Sequence, residues 1–138
     1  MPNPGPSTTV TANNQPLNSS QAIRLLSVLR GVSLNAVGDN LLPIITSTTF
    51  SVSNVLITNA SVSLTAAAAG IFTLPNAGGT AIVANAALAA CTSAAVVSQR
   101  AIATTNAQTS VPNLYLNVGT AQGAAATADV FVYGYDLT

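Results

Sequence analysis

The sequence predicts an all-β protein: an antiparallel β-sandwich, jelly-roll-like, with an extended N-terminal arm and at most one short helix. Segments rich in Val, Thr, Ile and Leu recur along the 138 residues, and β-branched side chains favour pleated strands. Turn-forming residues separate these segments. Apolar and polar residues alternate within several of them, as in strands buried on one face. A chain of this length is expected to form one domain.

The N-terminal segment differs from the remainder in composition. Residues 1–20 are expected to form an extended or flexible arm, and residues 21–138 a single β-sandwich domain. The arm contains four prolines, which remove backbone donors and favour polyproline-like geometry. Pro4, Pro6 and Pro16 are therefore candidate contacts with a partner, the alternative being a terminus without one.

The first part of the domain carries two strand signals and a turn signal. Residues 21–30 fit either a short helix or a strand buried on both faces, and we favour the strand because its alternation continues through Leu34. Gly38-Asp39-Asn40 predicts a turn in which Asp39 bonds its own backbone. The next strand is expected to follow at Leu41, and Pro43 indicates a strand start or a sheet edge.

The middle of the chain predicts a long strand and a hairpin. Residues 46–65 are strand-like, and the alternation slips near Asn54, which predicts a β-bulge. Residues 71–74 and 80–83 are two strand segments joined by Pro75-Asn76-Ala77-Gly78-Gly79, the clearest hairpin signal in the sequence.

The C-terminal half contains the one candidate helix. The Ala-rich segment 85–95 is able to form a short helix with Asn85 as its N-cap. In residues 130–135 we expect a strand in which Val and Tyr face in part away from Phe and Gly. We also expect a strand at residues 96–103, a polar loop at residues 104–113 and a second strand at residues 114–118.

The scarcity of charge excludes several function classes. Six side chains are charged, three Arg and three Asp, and the chain contains no His and one Cys. Common zinc, haem and iron–sulfur sites therefore lack ligands, and we expect no cofactor and no metal. Acid–base catalysis lacks its usual groups, so the protein is not expected to be an enzyme. The few cations exclude an electrostatic nucleic-acid footprint. The apolar segment 81–97 is short and interrupted by polar residues, so we expect no membrane partner.

Two interpretations of this surface remain open. In the first, the surface is free and uncharged polar side chains keep it hydrated. In the second, an assembly covers much of the surface, and unpaired charges buried there would be costly. We favour the assembly. Without Lys in the chain, each Arg is expected to have a specific partner, because a guanidinium makes planar, bidentate contacts. Arg24, Arg30 and Arg100 are candidate interface residues between subunits, the alternative being solvated charges; Asp129 is expected to end a strand or pair with an Arg.

The aromatic residues are expected in the core and at its rim. They lack the basic neighbours of a platform that stacks nucleic-acid bases. These residues are Phe50, Phe72, Tyr115, Phe131, Tyr133 and Tyr135.

Several segments carry a resemblance to a known family: Leu29–Val32, Gly38–Ile44, Ile57–Ser61, Gly79–Val83, Leu114–Leu116 and, most tellingly, Thr120–Tyr135. Together they resemble the small head-associated proteins of tailed bacteriophages, the capsid decoration or cement proteins, over roughly residues 25 to 138. The resemblance implies a β-sandwich, jelly-roll-like fold, no catalysis, and attachment to the outside of an icosahedral shell.

From this resemblance we expect a structural virion protein that stabilises the shell at contacts between major capsid subunits. The expected partners are the major capsid protein and the chain itself, as a dimer or trimer, on the capsid exterior after assembly in the bacterial cytoplasm. The alternative is a tail-fibre or baseplate module that binds a host glycan or surface protein. The polar loop 104–113 would then supply hydrogen bonds to sugar hydroxyls.

Overall fold

The computed structural model describes residues 23–45 and 47–138, and within them the protein consists of nine strands without a helix. The arm expected at residues 1–20 lies outside the described residues. The strands are β1 (Ile23–Ser33), β2 (Gly38–Pro43), β3 (Thr49–Thr58), β4 (Ala68–Leu74), β5 (Gly78–Ala87), β6 (Ser98–Arg100), β7 (Gln108–Thr109), β8 (Asn113–Thr120) and β9 (Thr127–Asp136).

The strands form two sheets whose inner faces share one hydrophobic core. The first sheet has the order β1-β9-β3-β6, with β7 also paired to β3, and the second has the order β2-β8-β4-β5. Every pairing is antiparallel. The prediction of an all-β, antiparallel sandwich is confirmed.

Alternating burial along the strands builds the core. In β3, buried apolar residues alternate with partly exposed neighbours on each side of one irregularity. Two residues rather than one separate the buried Val52 and Val55, and the register against β9 shifts at that point. The bulge predicted near Asn54 is therefore confirmed. The largest fully buried side chains are Phe50, Leu26, Leu34, Leu42, Leu64, Ile71, Ile82, Leu88, Leu114, Leu116, Val52 and Val55.

Gly134 allows the central strands of the first sheet to approach each other closely. It is buried in β9 and pairs with Val52 of β3. A Cβ atom at this position would overlap the carbonyl oxygen of Ser51 and lie 2.8 Å from Cδ1 of Leu26. Only glycine leaves room for both neighbours, because interiors are close-packed.

The predicted hairpin is confirmed as β4 and β5, and the predicted strands at residues 114–118 and 130–135 as β8 and β9. The strand expected at residues 96–103 is reduced to β6, and the polar loop that follows contains the two-residue β7. No helix that is long and apolar enough to cross a membrane occurs in the described part of the chain.

The turn predicted at Gly38-Asp39-Asn40 is wrong. The chain bends at residues 34–36 instead, and β2 begins at the first residue of the triplet. The Asp39 carboxylate accepts hydrogen bonds from Nδ2 of Asn117 at 2.8 Å and from the backbone N–H of Asn76 at 2.7 Å. Hydrogen bonds from distant residues thus replace the bond to its own backbone that was expected of Asp39. β2 lies at the edge of the second sheet, which is one of the two positions that Pro43 indicated, and the proline ends the strand rather than starting it.

The candidate helix within residues 85–95 does not form, in agreement with a fold that has at most one short helix. β5 continues to Ala87, which pairs with Ala68 of β4. Leu88 is buried in the core and donates its backbone N–H to the carbonyl of Ala67 at 2.9 Å. Strand pairing and burial in the core therefore outweigh the helix propensity of the alanines at the start of this segment.

Candidate protein-binding face

Strand β9 presents aromatic side chains on the outside of the first sheet. Val130 and Val132 are buried in the core, whereas Phe131 and Tyr133 are partly exposed on the opposite side. Tyr135 continues the row and is 41% exposed. The prediction that the tyrosines face away from Phe131 is therefore wrong: all three rings share one face.

Aliphatic side chains on the neighbouring strands extend this surface. Phe131 pairs with Val28 on one side and with Leu56 on the other. Residues directly opposite in antiparallel strands project to the same side of a sheet. We name this outer surface of β1, β9 and β3 the aromatic face. Its apolar members are Ile23, Leu25, Val28, Leu56, Phe131, Tyr133 and Tyr135.

A cation lies over one ring of the aromatic face. The rings of Phe131 and Tyr133 are nearly parallel, with an interplanar angle of 16° and centroids 6.5 Å apart. The guanidinium carbon of Arg30 is 5.1 Å from the centroid of Phe131, within the range of a cation–π contact. The side chain of Arg30 is nevertheless 70% exposed.

A β-bulge positions this arginine. The register between β1 and β9 shifts between Leu29 and Val32, and Gly31 has a φ of 63°, which glycine adopts without steric cost. The N–H of Gly31 donates to Oδ1 of Asp129 at 2.7 Å, and Nδ2 of Asn59 donates to Oδ2 at 3.3 Å. Asp129 thus holds the bulge in place.

Asp129 also forms an ion pair with the arginine of the bulge. Nη1 of Arg30 lies 3.7 Å from Oδ2 of Asp129, whose side chain is 11% exposed. This distance is too long for a hydrogen bond, so the attraction is Coulombic and the guanidinium keeps its donors. The expectation that Asp129 pairs with an Arg is confirmed.

Arg24 is bonded within its own chain at the other end of β1. Its Nη2 lies 3.3 Å from Oδ2 of Asp136 and donates to the carbonyl of Ile45 at 2.8 Å. Nη1 donates to the carbonyl of Leu25 at 3.1 Å. These contacts tie the start of β1 to the end of β9.

The carboxylate of Asp136 is held in its charged form. Hydrogen bonds from the side chain and backbone of Thr138, followed by one from Ser47, lower the pKa of Asp136 from 3.8 to about 2, and Arg24 adds to this effect. Because each of these donors stabilises the ionised carboxylate, we interpret this group as a structural acceptor.

Arg100 joins the two sheets at the edge opposite β1 and β2. It belongs to β6 of the first sheet, and its Nη2 donates to the carbonyls of Ala86 at 3.3 Å and Ala87 at 3.1 Å in β5 of the second sheet. Its Nε is buried without a hydrogen-bond partner among the described residues. This arginine therefore links strand edges.

The candidate interface residues do not lie on one surface. Arg24 and Arg30 lie towards opposite ends of β1, and Arg100 lies on β6. Pro4, Pro6 and Pro16 lie outside the described residues. A role of these residues in contacts between subunits stays a prediction.

The outside of the second sheet is partly covered by its own hairpin. Asn76, in the turn between β4 and β5, bonds Asp39 of β2, although β8 lies between β2 and β4. The turn therefore leans across β8. A groove of about 450 Å³ adjoins this region. Its lining residues are Thr73, Leu74, Thr80, Gln108, Ser110, Val111, Pro112, Asn113 and Tyr115.

Comparison with protein-family models, with characterised proteins and with solved structures finds no match for this chain. Its functional interpretation therefore depends on the fold and on the surfaces described above.

Proposed function

We propose that this protein is a structural virion subunit that binds the outer surface of a bacteriophage shell and stabilises it at contacts between major capsid subunits. The observation that carries the proposal is the aromatic face. It places apolar side chains outside a sandwich whose core is already filled. Apolar surface gains free energy when a partner removes it from water.

The two ends of the aromatic face remain open to solvent. Ile23 is 48% exposed and lies beside Tyr135 at one end, and Arg30 marks the other end. Aromatic residues and Arg are enriched at the centres of protein interfaces, where truncation costs most binding energy. A partner that covers this face is therefore the simplest explanation of its composition.

The strand order supports a jelly roll, the fold that the family resemblance implies. With β7 set aside, the chain changes sheet at every connection between consecutive strands except the one between β4 and β5. This order is the one expected for an eight-stranded jelly roll, which contains two Greek keys. Because one fold serves many functions, this order supports the proposal only together with the aromatic face.

Protein analysis of purified particles tests the proposal. We expect the chain in constant proportion to the major capsid protein, and we expect shells without it to open at lower temperature, because a ligand of the assembled state stabilises that state. Absence of the chain from particles would contradict the proposal, and so would equal thermal stability of shells with and without it.

Binding of the purified chain to shells that lack it tests the role of the aromatic face. Tyr133→Ser removes a ring from the centre of the face, so we expect weaker binding. Leu41→Ser is the matched control, because Leu41 is exposed on β2 of the second sheet. The thermal midpoints of both variants show whether each remains folded. Equal binding by the two variants would contradict the role of this face.

A second candidate function is a module that binds a host glycan, and the groove beside β8 favours it. Thr73, Thr80, Asn113 and Tyr115 are among its lining residues, and hydroxyl and amide groups near an aromatic ring suit sugar hydroxyls and a sugar face. A glycan array tests it, with Tyr115→Ala as the variant expected to lose the signal. A few copies per particle would favour this function over shell binding.

A further inference from the structure

We propose that the surface covering the aromatic face belongs to a different protein and presents a carboxylate opposite Arg30. This inference rests on the proposed function and specifies the chemistry of the shell surface.

Arg30 has hydrogen-bond donors that its own chain does not use. Within the described residues its guanidinium donates no hydrogen bond, whereas those of Arg24 and Arg100 donate to backbone carbonyls. Because the Arg30 side chain is 70% exposed, solvent is able to reach these donors in the free protein. When a partner covers the face, it removes this solvent, and buried donors without acceptors are costly. The partner must therefore bring acceptors to this point.

The arginine is held in position for such a contact. The bulge at Gly31 and the ring of Phe131, 5.1 Å from the guanidinium carbon, restrict where the guanidinium lies. Bulges re-aim side chains in this way. A side chain that is already positioned loses less entropy on binding.

A carboxylate is the acceptor that fits best. The guanidinium fork matches a carboxylate with two parallel hydrogen bonds, and both groups are charged, which strengthens them. Asp129 does not accept hydrogen bonds from this guanidinium, because its Oδ2 lies 3.7 Å from Nη1 and its oxygens already accept from Gly31 and Asn59.

A second copy of the chain does not supply this carboxylate. The sequence contains three acidic side chains. Asp39 accepts from Asn76 and Asn117, and Asp136 accepts from Ser47. Asp129 accepts from Gly31 and Asn59 and holds the bulge of its own chain. The complementary surface is therefore that of another protein.

The test measures binding of the full chain to purified shells that lack it, at low and high salt. We expect Arg30→Gln to bind about tenfold to a hundredfold more weakly, the range of a charge-assisted hydrogen bond. Arg30→Lys should retain part of the affinity, because it keeps the charge and loses the fork. High salt should weaken wild-type binding more than that of Arg30→Gln.

Converting surface carboxylates of the shells to neutral amides tests the acceptor directly. We expect this treatment to lower wild-type binding to the level of Arg30→Gln and to leave the binding of Arg30→Gln unchanged. Leu41→Ser is again the control that should behave as wild type.

Three results would overturn the inference, and they differ from one another. If Arg30→Gln binds as well as wild type while Tyr133→Ser binds weakly, the face docks without a carboxylate. If the chain sediments as a dimer that Tyr133→Ser dissociates, the occupant is a second copy. If wild type binds no shells, the proposed function fails as well.

Discussion

Arg24 and Asp136 form an ion pair with 3.3 Å between Nη2 and Oδ2, and this pair links the beginning of β1 to the end of β9. The strands are already neighbours, since Arg24 pairs with Gly134 in the ladder. The same carboxylate accepts from the hydroxyl of Ser47 at 2.9 Å and from the N–H of Thr138 at 3.0 Å. Three separate parts of the chain therefore meet at one carboxylate.

Acid is expected to weaken this corner of the sandwich. The pKa of Asp136 falls from 3.8 to about 2 in the folded protein, so folding favours the charged form. This stabilisation is fully present above the unfolded pKa and is lost as the pH falls towards about 2. Urea unfolding over this pH range measures it. Asp136→Asn should be less stable at neutral pH and show a flatter decline; an equally steep decline would exclude this carboxylate as the cause.

Gly134→Ala is expected to destabilise the fold by about 1–3 kcal/mol or more, the usual cost of overpacking. The added methyl group meets the carbonyl of Ser51 and the side chain of Leu26, and backbone gives way less easily than a side chain. Urea unfolding measures the loss. Ala125→Ser adds one atom at an exposed position and should change stability by less than about 0.5 kcal/mol. A Gly134→Ala variant as stable as this control would show that β9 has room to move.

Asp39→Ala is expected to release the turn between β4 and β5 while leaving most of the fold intact. The carboxylate accepts the backbone N–H of Asn76, so its removal should speed hydrogen exchange at that amide. The amide of Leu116 in β8 should keep its protection and serves as the internal reference. Unchanged exchange at Asn76 would mean that other contacts hold the turn.

Asp129→Ala is expected to cost about 1–3 kcal/mol, because it leaves the N–H of Gly31 without its acceptor in a partly buried position. Asp129→Asn keeps a carbonyl oxygen for that N–H and should cost less. The difference between their unfolding free energies isolates the bulge contact from the ion pair with Arg30. Equal losses would show that charge, rather than the hydrogen bond, matters at this position.

Strand patterns with a clear period and the hairpin signal at residues 75–79 could be predicted from the sequence, whereas one local turn signal and one local helix signal misled. The alternation at residues 114–118 and the slip near Asn54 reflect burial, which the strand period reports directly. Gly38-Asp39-Asn40 and the alanines after Asn85 have local preferences for a turn and a helix. Distant partners overcame both preferences: Asn76 and Asn117 for the first, and the ladder with β4 for the second.

The aromatic face could be predicted from the sequence only in part. The period of two in residues 130–135 does place Phe131, Tyr133 and Tyr135 on one side of a strand. Val28 and Leu56 lie beside them because β9 inserts between β1 and β3. That order depends on contacts across more than a hundred residues, and no local pattern reports it.

Both sheets are completed by the strands that come last among those described. β8 inserts between β2 and β4, and β9 inserts between β1 and β3. Neither sheet is therefore able to form all its strand pairings until β8 and β9 have been synthesised. A chain that stops before Thr127 lacks the aromatic rings of β9 altogether. If the aromatic face binds a shell as proposed, chains that stop before Thr127 are not expected to compete for binding positions, because they lack Phe131, Tyr133 and Tyr135.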